Sequence, residues 1–224
     1  MKSLITVILL SLLSPVSNSS EISTTHLHNN SAEIPTAIMQ LLPLAEGGDA
    51  KSQYNLALIY DWGDGTPENN QEAIRWYTLA AEQGHSAAQY NLGLMYDEGD
   101  GVPENNGHAI RWYTLAAEQG DIAAQYNLAL MYDEGEGVLE NNQQAILWYT
   151  LAAEQGDIDA QYNLGVMYDE GEGVPENNQQ AIRWYTLAAE RGDKNAQDRL
   201  YLVYAEEDPI GQILEFLLDR LLSF

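Results

Sequence analysis

This sequence repeats itself every 36 residues, and that periodicity limits the possible folds more than any other feature. Gln-Tyr-Asn-Leu begins at Gln53, Gln89, Gln125 and Gln161, and Trp-Tyr-Thr-Leu-Ala-Ala-Glu begins at Trp76, Trp112, Trp148 and Trp184. Both series step by the same 36 residues, defining units 49–84, 85–120, 121–156 and 157–192. A unit this short cannot bury a core of its own. In-register copies must stack, each covering the apolar face of its neighbour.

Each unit carries two helical patterns. In the first, Ala88, Leu92, Gly93 and Tyr96 share one helical face. Asp49, Asp121, Asp157 and Asp193 each follow a Gly, where an N-cap is needed, and His85 replaces the Asp in the second unit. In the second, Ala109, Ile110, Trp112, Tyr113, Ala116 and Ala117 form a broad apolar face. Asn69, Asn141 and Asn177 precede this helix with Glu72, Gln144 and Gln180 three residues on, a variant of the capping box. Gly84, Gly120, Gly156 and Gly192 close it in a left-handed conformation. Ala57, Gly93, Ala129 and Gly165 occupy one equivalent position, where a small side chain lets paired helices approach. Tyr60, Tyr96, Tyr132, Tyr168 and the Trp series fill the remaining volume.

The ends follow the same logic. Residues 35–48 read as a degenerate second-type helix capping the front, and 193–224 as a half repeat followed by a capping helix from Asp208-Pro209. Ile210, Ile213, Leu214, Leu217, Leu218 and Leu221 stripe that last helix, which is also a candidate for self-association through residues 209–224. At the N-terminus, Met1-Lys2, the apolar run to Leu13 and a Ser/Pro/Asn stretch have the three regions of a secretory signal peptide. The expectation is a signal over 1–19, a flexible leader over 20–34, and a periplasmic or secreted product. An uncleaved N-terminal anchor is the alternative.

The residues Ala88, Leu92, Gly93, Tyr96, Gly99, Gly101, Val102, Ala109, Trp112, Tyr113, Ala116, Ala117 and Gly120 resemble the Sel1-like repeat, a relative of the tetratricopeptide repeat. The match covers 49–192, and about 35–204 with half units. The resemblance implies an all-α fold, an α/α superhelical solenoid of four helix-turn-helix repeats with half-repeat caps. It further implies a non-enzymatic scaffold or adaptor for protein–protein interaction, with no shared catalytic residue. A cysteine-rich branch of the family has disulfide-bridged hairpins and is associated with β-lactam compounds. This chain has no Cys and so departs from that branch.

Composition narrows the partner. With 9 Lys+Arg against 34 Asp+Glu the net charge is −25, which excludes the clustered cations that nucleic acid requires. No span is expected in the mature chain. The four His form no metal or catalytic set, and no catalytic triad can be assembled, so neither cofactor nor metal is expected. The loop carboxylates Asp61, Asp64 and Glu68 recur as Asp97, Glu98, Asp100 and Glu104, and again in the two later units. They read as solvated edge charge, with weak calcium binding as an alternative that lacks the EF-hand spacing. The Gly-x-Gly loops (Gly99 and Gly101, for example) lack a preceding strand and a phosphate-loop Lys, and read as turns.

At about 100° per residue, one face of the first helix points away from the centre of its core stripe. If the relation to tetratricopeptide repeats holds, this face lines a concave groove. Stacked units would then align Tyr54, Tyr90, Tyr126 and Tyr162; Asn55, Asn91, Asn127 and Asn163; Leu58, Leu94, Leu130 and Val166; and Asp61, Asp97, Asp133 and Asp169. Such rungs suit a protein or peptide with basic and apolar side chains. The competing reading is that the Tyr rings pack between adjacent units. The sequence therefore points to an exported scaffold that binds protein or peptide. An enzyme or binder acting on a cell-wall or β-lactam-like compound is the alternative from another class.

Overall fold

A computed structural model describes residues 34–63 and 66–207. The expected signal peptide and the helix from Pro209 lie outside these residues. Among the described residues the chain forms ten helices and no strand. They are α1 (Ile34–Glu46), α2 (Ala50–Trp62), α3 (Asn70–Glu82), α4 (Ser86–Glu98), α5 (Asn106–Glu118), α6 (Ile122–Glu134), α7 (Asn142–Glu154), α8 (Ile158–Glu170), α9 (Asn178–Glu190) and α10 (Lys194–Glu207). None is long and apolar enough to cross a membrane. Each packs against the next along the chain, so the hairpins α2–α3, α4–α5, α6–α7 and α8–α9 stack in series with α1 and α10 at the ends.

The caps explain the helix boundaries. The carboxylates of Asp49, Asp121, Asp157 and Asp193 accept the N–H three residues on, at 2.7–3.0 Å. His85 does the same through Nδ1 at 3.3 Å. Asn69, Asn105, Asn141 and Asn177 cap the second-type helices at 3.1–3.2 Å. At the far ends Gly84, Gly120, Gly156 and Gly192 adopt φ between 86° and 95°, and the next N–H returns to the carbonyl five residues back. α1 ends the same way, with Gly48 at φ 96° and Asp49 N–H on Leu44, so the front cap is a second-type helix.

Both glycines of the Gly-x-Gly loop have structural roles. Gly99, Gly135 and Gly171 end the first-type helices in the left-handed region. Gly101, at φ 74°, lies on Asn70 at the start of α3, where a Cβ would collide with the Asn70 side chain. The loop then returns, with Asn105 N–H donating to Tyr96 O at 2.7 Å. The carboxylates of these loops spread along the edge. Among the described residues no three His, Asp or Glu side chains gather as a metal-ion set.

The core is as repetitive as the sequence. Tyr77, Tyr113, Tyr149 and Tyr185 are fully buried, as are Leu56, Leu92, Leu128 and Leu164. A buried aromatic removes about 150–250 Å² from water, worth several kcal/mol at about 25 cal/mol per Å² before entropy is subtracted. The small position packs directly on these tyrosines. A Cβ on Gly93 would come within 2.6 Å of the Tyr113 ring, while the buried Ala57 and Ala129 fill the same place in units one and three.

Between units runs a line of buried glutamines. Gln53, Gln89, Gln125 and Gln161, 3–4% exposed, donate through Nε2 to Ala45, Ala81, Ala117 and Ala153 at 2.9–3.0 Å. Those carbonyls sit in the last turn of the preceding second-type helix, where intrahelical donors have run out. The glutamine carbonyls in turn accept from Gln83, Gln119 and Gln155 at 2.6–2.8 Å. In the fourth unit Arg191 replaces that donor, and Gln161 Oε1 is buried without a hydrogen-bond partner.

Candidate partner-binding face

The first-type helices α2, α4, α6 and α8 place the four predicted ladders, and a second tyrosine series organises them. The hydroxyls of the buried Tyr77, Tyr113, Tyr149 and Tyr185 donate to Asp61, Asp97, Asp133 and Asp169 at 3.0–3.3 Å. Asn91 of the next unit donates to the Tyr77 hydroxyl at 3.0 Å and also faces Tyr54. Asn127 faces the hydroxyls of Tyr90 and Tyr113, and Asn163 those of Tyr126 and Tyr149, at the equivalent places. In the first three rungs two tyrosines and an aspartate of one unit thus meet an asparagine of the next.

Tyr54, Tyr90, Tyr126 and Tyr162 are half-buried, with ring centroids 5.8–5.9 Å from the deeper tyrosines. They therefore pack within the stack and still keep part of each ring at the surface. Tyr54 also stacks on His85, at 4.5 Å. Asn55, Asn91, Asn127, Asn163, Leu94, Leu130, Val166, Asp61, Asp97, Asp133 and Asp169 are all half-buried. Leu58 departs from its ladder. It is 5% exposed, inside a cluster that takes in Ile38 and Leu42 of α1, and so is lost to the face.

Burial sets the electrostatics. It pushes the carboxyls of Asp97 and Asp133 above the ordinary Asp range. Nearby carboxylates add to the shift, and the bonds from Tyr113 and Tyr149 oppose it. The deep tyrosines are pushed far up by burial and by the adjacent aspartate, so they stay neutral donors. The face can accept hydrogen bonds and cations, and it offers amide and apolar contacts.

The last rung is different. At the position of Asn91, Asn127 and Asn163 the next repeat carries Arg199, whose Nη2 lies 2.9 Å from Glu170 Oε1 and Nη1 3.5 Å from Asp169 Oδ2. Arg199 also lies beside the Tyr162 hydroxyl.

The paired, capped and stacked helices define an α/α helical-repeat solenoid of the tetratricopeptide type. The Sel1 repeat family model matches residues 50–85, 86–121, 122–157 and 158–193, each one residue later than the units drawn from the sequence. The chain belongs to the Sel1 repeat family. A Sel1 repeat protein from Oxalobacter formigenes is 34% identical with a TM-score of 0.74, over 83% of this chain and 81% of that one. The structure of c5321, a protective antigen present in uropathogenic Escherichia coli strains that displays an SLR fold, is 40% identical with a TM-score of 0.72. That alignment covers 76% of this chain and 36% of c5321, so the present chain matches about a third of the antigen's length. No curated protein matches the chain significantly. Sel1-repeat solenoids are generally non-enzymatic scaffolds for protein–protein interaction.

Proposed function

We propose that this protein is an exported, non-enzymatic scaffold that binds a protein or peptide along the face built from α2, α4, α6 and α8. In a tetratricopeptide-type superhelix that face lines the concave side. The reading rests above all on the recurrence of one half-buried rung. Phenol, carboxylate and amide are presented together on successive first-type helices, beside Leu94, Leu130 and Val166. Successive identical rungs suit an extended ligand, whose backbone bonds amides and whose side chains fall between rings. The acidic balance favours a basic partner by steering its approach. The N-terminal signal pattern supports an encounter in the periplasm or outside the cell.

The test is affinity capture from the exported fraction with the parent protein and with Tyr90, Asn91, Tyr126 and Asn127 changed to Ala. Loss of the captured partner with the helical circular dichroism signal retained supports the face. Capture that survives in the folded variant removes it.

A further inference from the structure

We propose that the carboxylate pairs Asp97–Glu98 and Asp133–Glu134 are guanidinium subsites, taking arginine side chains of an extended partner segment at one per repeat. The proposal rests on the reading of this face as the partner site, and names the chemistry that the face selects.

The chain supplies its own template for such a subsite. Arg199 lies one repeat beyond Asn163 and takes the place that the asparagines hold in the earlier rungs. Its guanidinium reaches Glu170 at 2.9 Å and Asp169 at 3.5 Å and lies beside Tyr162, while Tyr185 holds Asp169 from below. In the second and third rungs the same carboxylates recur as Asp97–Glu98 and Asp133–Glu134, and the same tyrosines as Tyr90 and Tyr126. There the seat holds Asn127 or Asn163, whose short side chains face the tyrosine hydroxyls. Among the described residues no Lys or Arg forms an ion pair with these four carboxylates.

The central rungs therefore lack the cation that the last one has. Burial raises the Asp97 and Asp133 carboxyls, and further carboxylates raise them more: Glu136 and Glu104 around Asp97, and Glu172, Glu134 and Glu140 around Asp133. A cation arriving there relieves that repulsion. A guanidinium suits the site better than an ammonium, because its planar fork can donate to two carboxylates and a phenol together. The first rung differs, since Trp62, 42% exposed, stands where the later rungs have Glu.

Spacing sets the ligand's pattern. The first-type neighbours α8 and α10 touch directly. Packed helices lie about 8–10 Å apart, and an extended chain advances about 3.3 Å per residue. One rung thus corresponds to about three residues, so adjacent rungs take Arg-x-x-Arg.

The experiment uses the full chain and a fluorescein-labelled Ser/Ala peptide carrying two arginines three residues apart, with a lysine version beside it. Binding is read by anisotropy at about 150 mM salt, where steering by exposed charge is largely screened. The arginine peptide is expected to bind about tenfold tighter than the lysine peptide. Two double variants are then compared. Asp97→Asn with Asp133→Asn removes the charges while leaving an acceptor for Tyr113 and Tyr149. Asn127→Arg with Asn163→Arg fills each rung from within, as Arg199 does. Each is expected to melt close to the parent and to lose arginine-peptide affinity by about tenfold or more. Equal affinity for the two peptides overturns the proposal, as does unchanged binding in either folded double variant. If Tyr90→Ala with Tyr126→Ala still abolishes partner capture in that case, the face stands and the guanidinium assignment alone falls.

Discussion

Replacing Arg191 with Gln is expected to stabilise the protein, by an amount that follows from the glutamine line between units. In three units a Gln in the last turn of the second-type helix donates to the buried Gln carbonyl of its own hairpin, at 2.6–2.8 Å. In the fourth, Gln161 Oε1 is buried and unpartnered because Arg191 turns instead to the Gly156 carbonyl. A buried acceptor left unsatisfied costs about 1–3 kcal/mol, and a typical hydrogen bond is worth about 1 kcal/mol net. Against this stands the loss of a cation near a helix C-terminus, about 0.3–1 kcal/mol. The contact with Gly156 need not be lost, since Gln155 makes the equivalent bond to Gly120 at 3.3 Å. The net expectation is a gain of about 1 kcal/mol, or about 2–4 °C in midpoint for a chain of this size. The assay is thermal and urea unfolding followed by circular dichroism, with Gln119→Arg as the reciprocal variant. Gln119→Arg should leave Gln89 Oε1 without its donor and lower the midpoint by at least as much. An unchanged or lower midpoint for Arg191→Gln, together with an unchanged one for Gln119→Arg, would refute the reasoning.

Two further perturbations probe the packing and the charges. Gly93→Leu drives a side chain into Tyr113, whose ring lies 2.6 Å from where the Cβ would stand, and overpacking of a fixed core costs about 1–3 kcal/mol. Circular dichroism should show a markedly lower midpoint, and parent-like melting would contradict the helix register. Asp97, Asp121, Asp133 and Asp159 are all held above the ordinary Asp value of 3.8, burial being the largest cause in each. A carboxyl raised on folding binds its proton more tightly in the native state, so its contribution is full below the unfolded value and is lost as pH rises through the folded one. Asp49 and His85 are shifted downward and oppose this trend. The four aspartates act just above the unfolded value of 3.8, below the range in which His85 titrates, so the midpoint should climb as pH is lowered from about 5 towards about 4. A midpoint that falls steadily over that range would contradict the assignment.

Much of the fold was legible because each helix announces its ends locally. Asp49, Asp121, Asp157 and Asp193 mark starts, and Gly84, Gly120, Gly156 and Gly192 mark stops, within a few residues of sequence. Asn105 also caps α5, but His108 stands where the other units have Glu or Gln, so a capping-box search passes over it. The buried glutamines were seen only as a repeat marker. A polar side chain reads as surface, and the carbonyls that satisfy it belong to the preceding helix and emerge only when units stack. The candidate face was legible as four ladders, yet the Tyr77, Tyr113, Tyr149 and Tyr185 hydroxyls that hold its aspartates lie on the second helix. No pattern within the first helix points to them. Leu58 misled for a related reason. Its spacing matches Leu94 and Leu130, but in the first unit it joins the cluster with residues of α1, and the periodic rule fails at the end of the array.

The central claim is that partners bind the first-type helices. Amide chemical-shift mapping on isotopically labelled protein, titrated with the partner isolated by capture, tests it most directly. The account predicts perturbations centred on Tyr90, Asn91, Leu94 and Asp97 of α4 and on Tyr126, Asn127, Leu130 and Asp133 of α6. Perturbations gathered instead on the outward residues of α5 and α7, such as Arg111 and Leu147, with α4 and α6 silent, would contradict it.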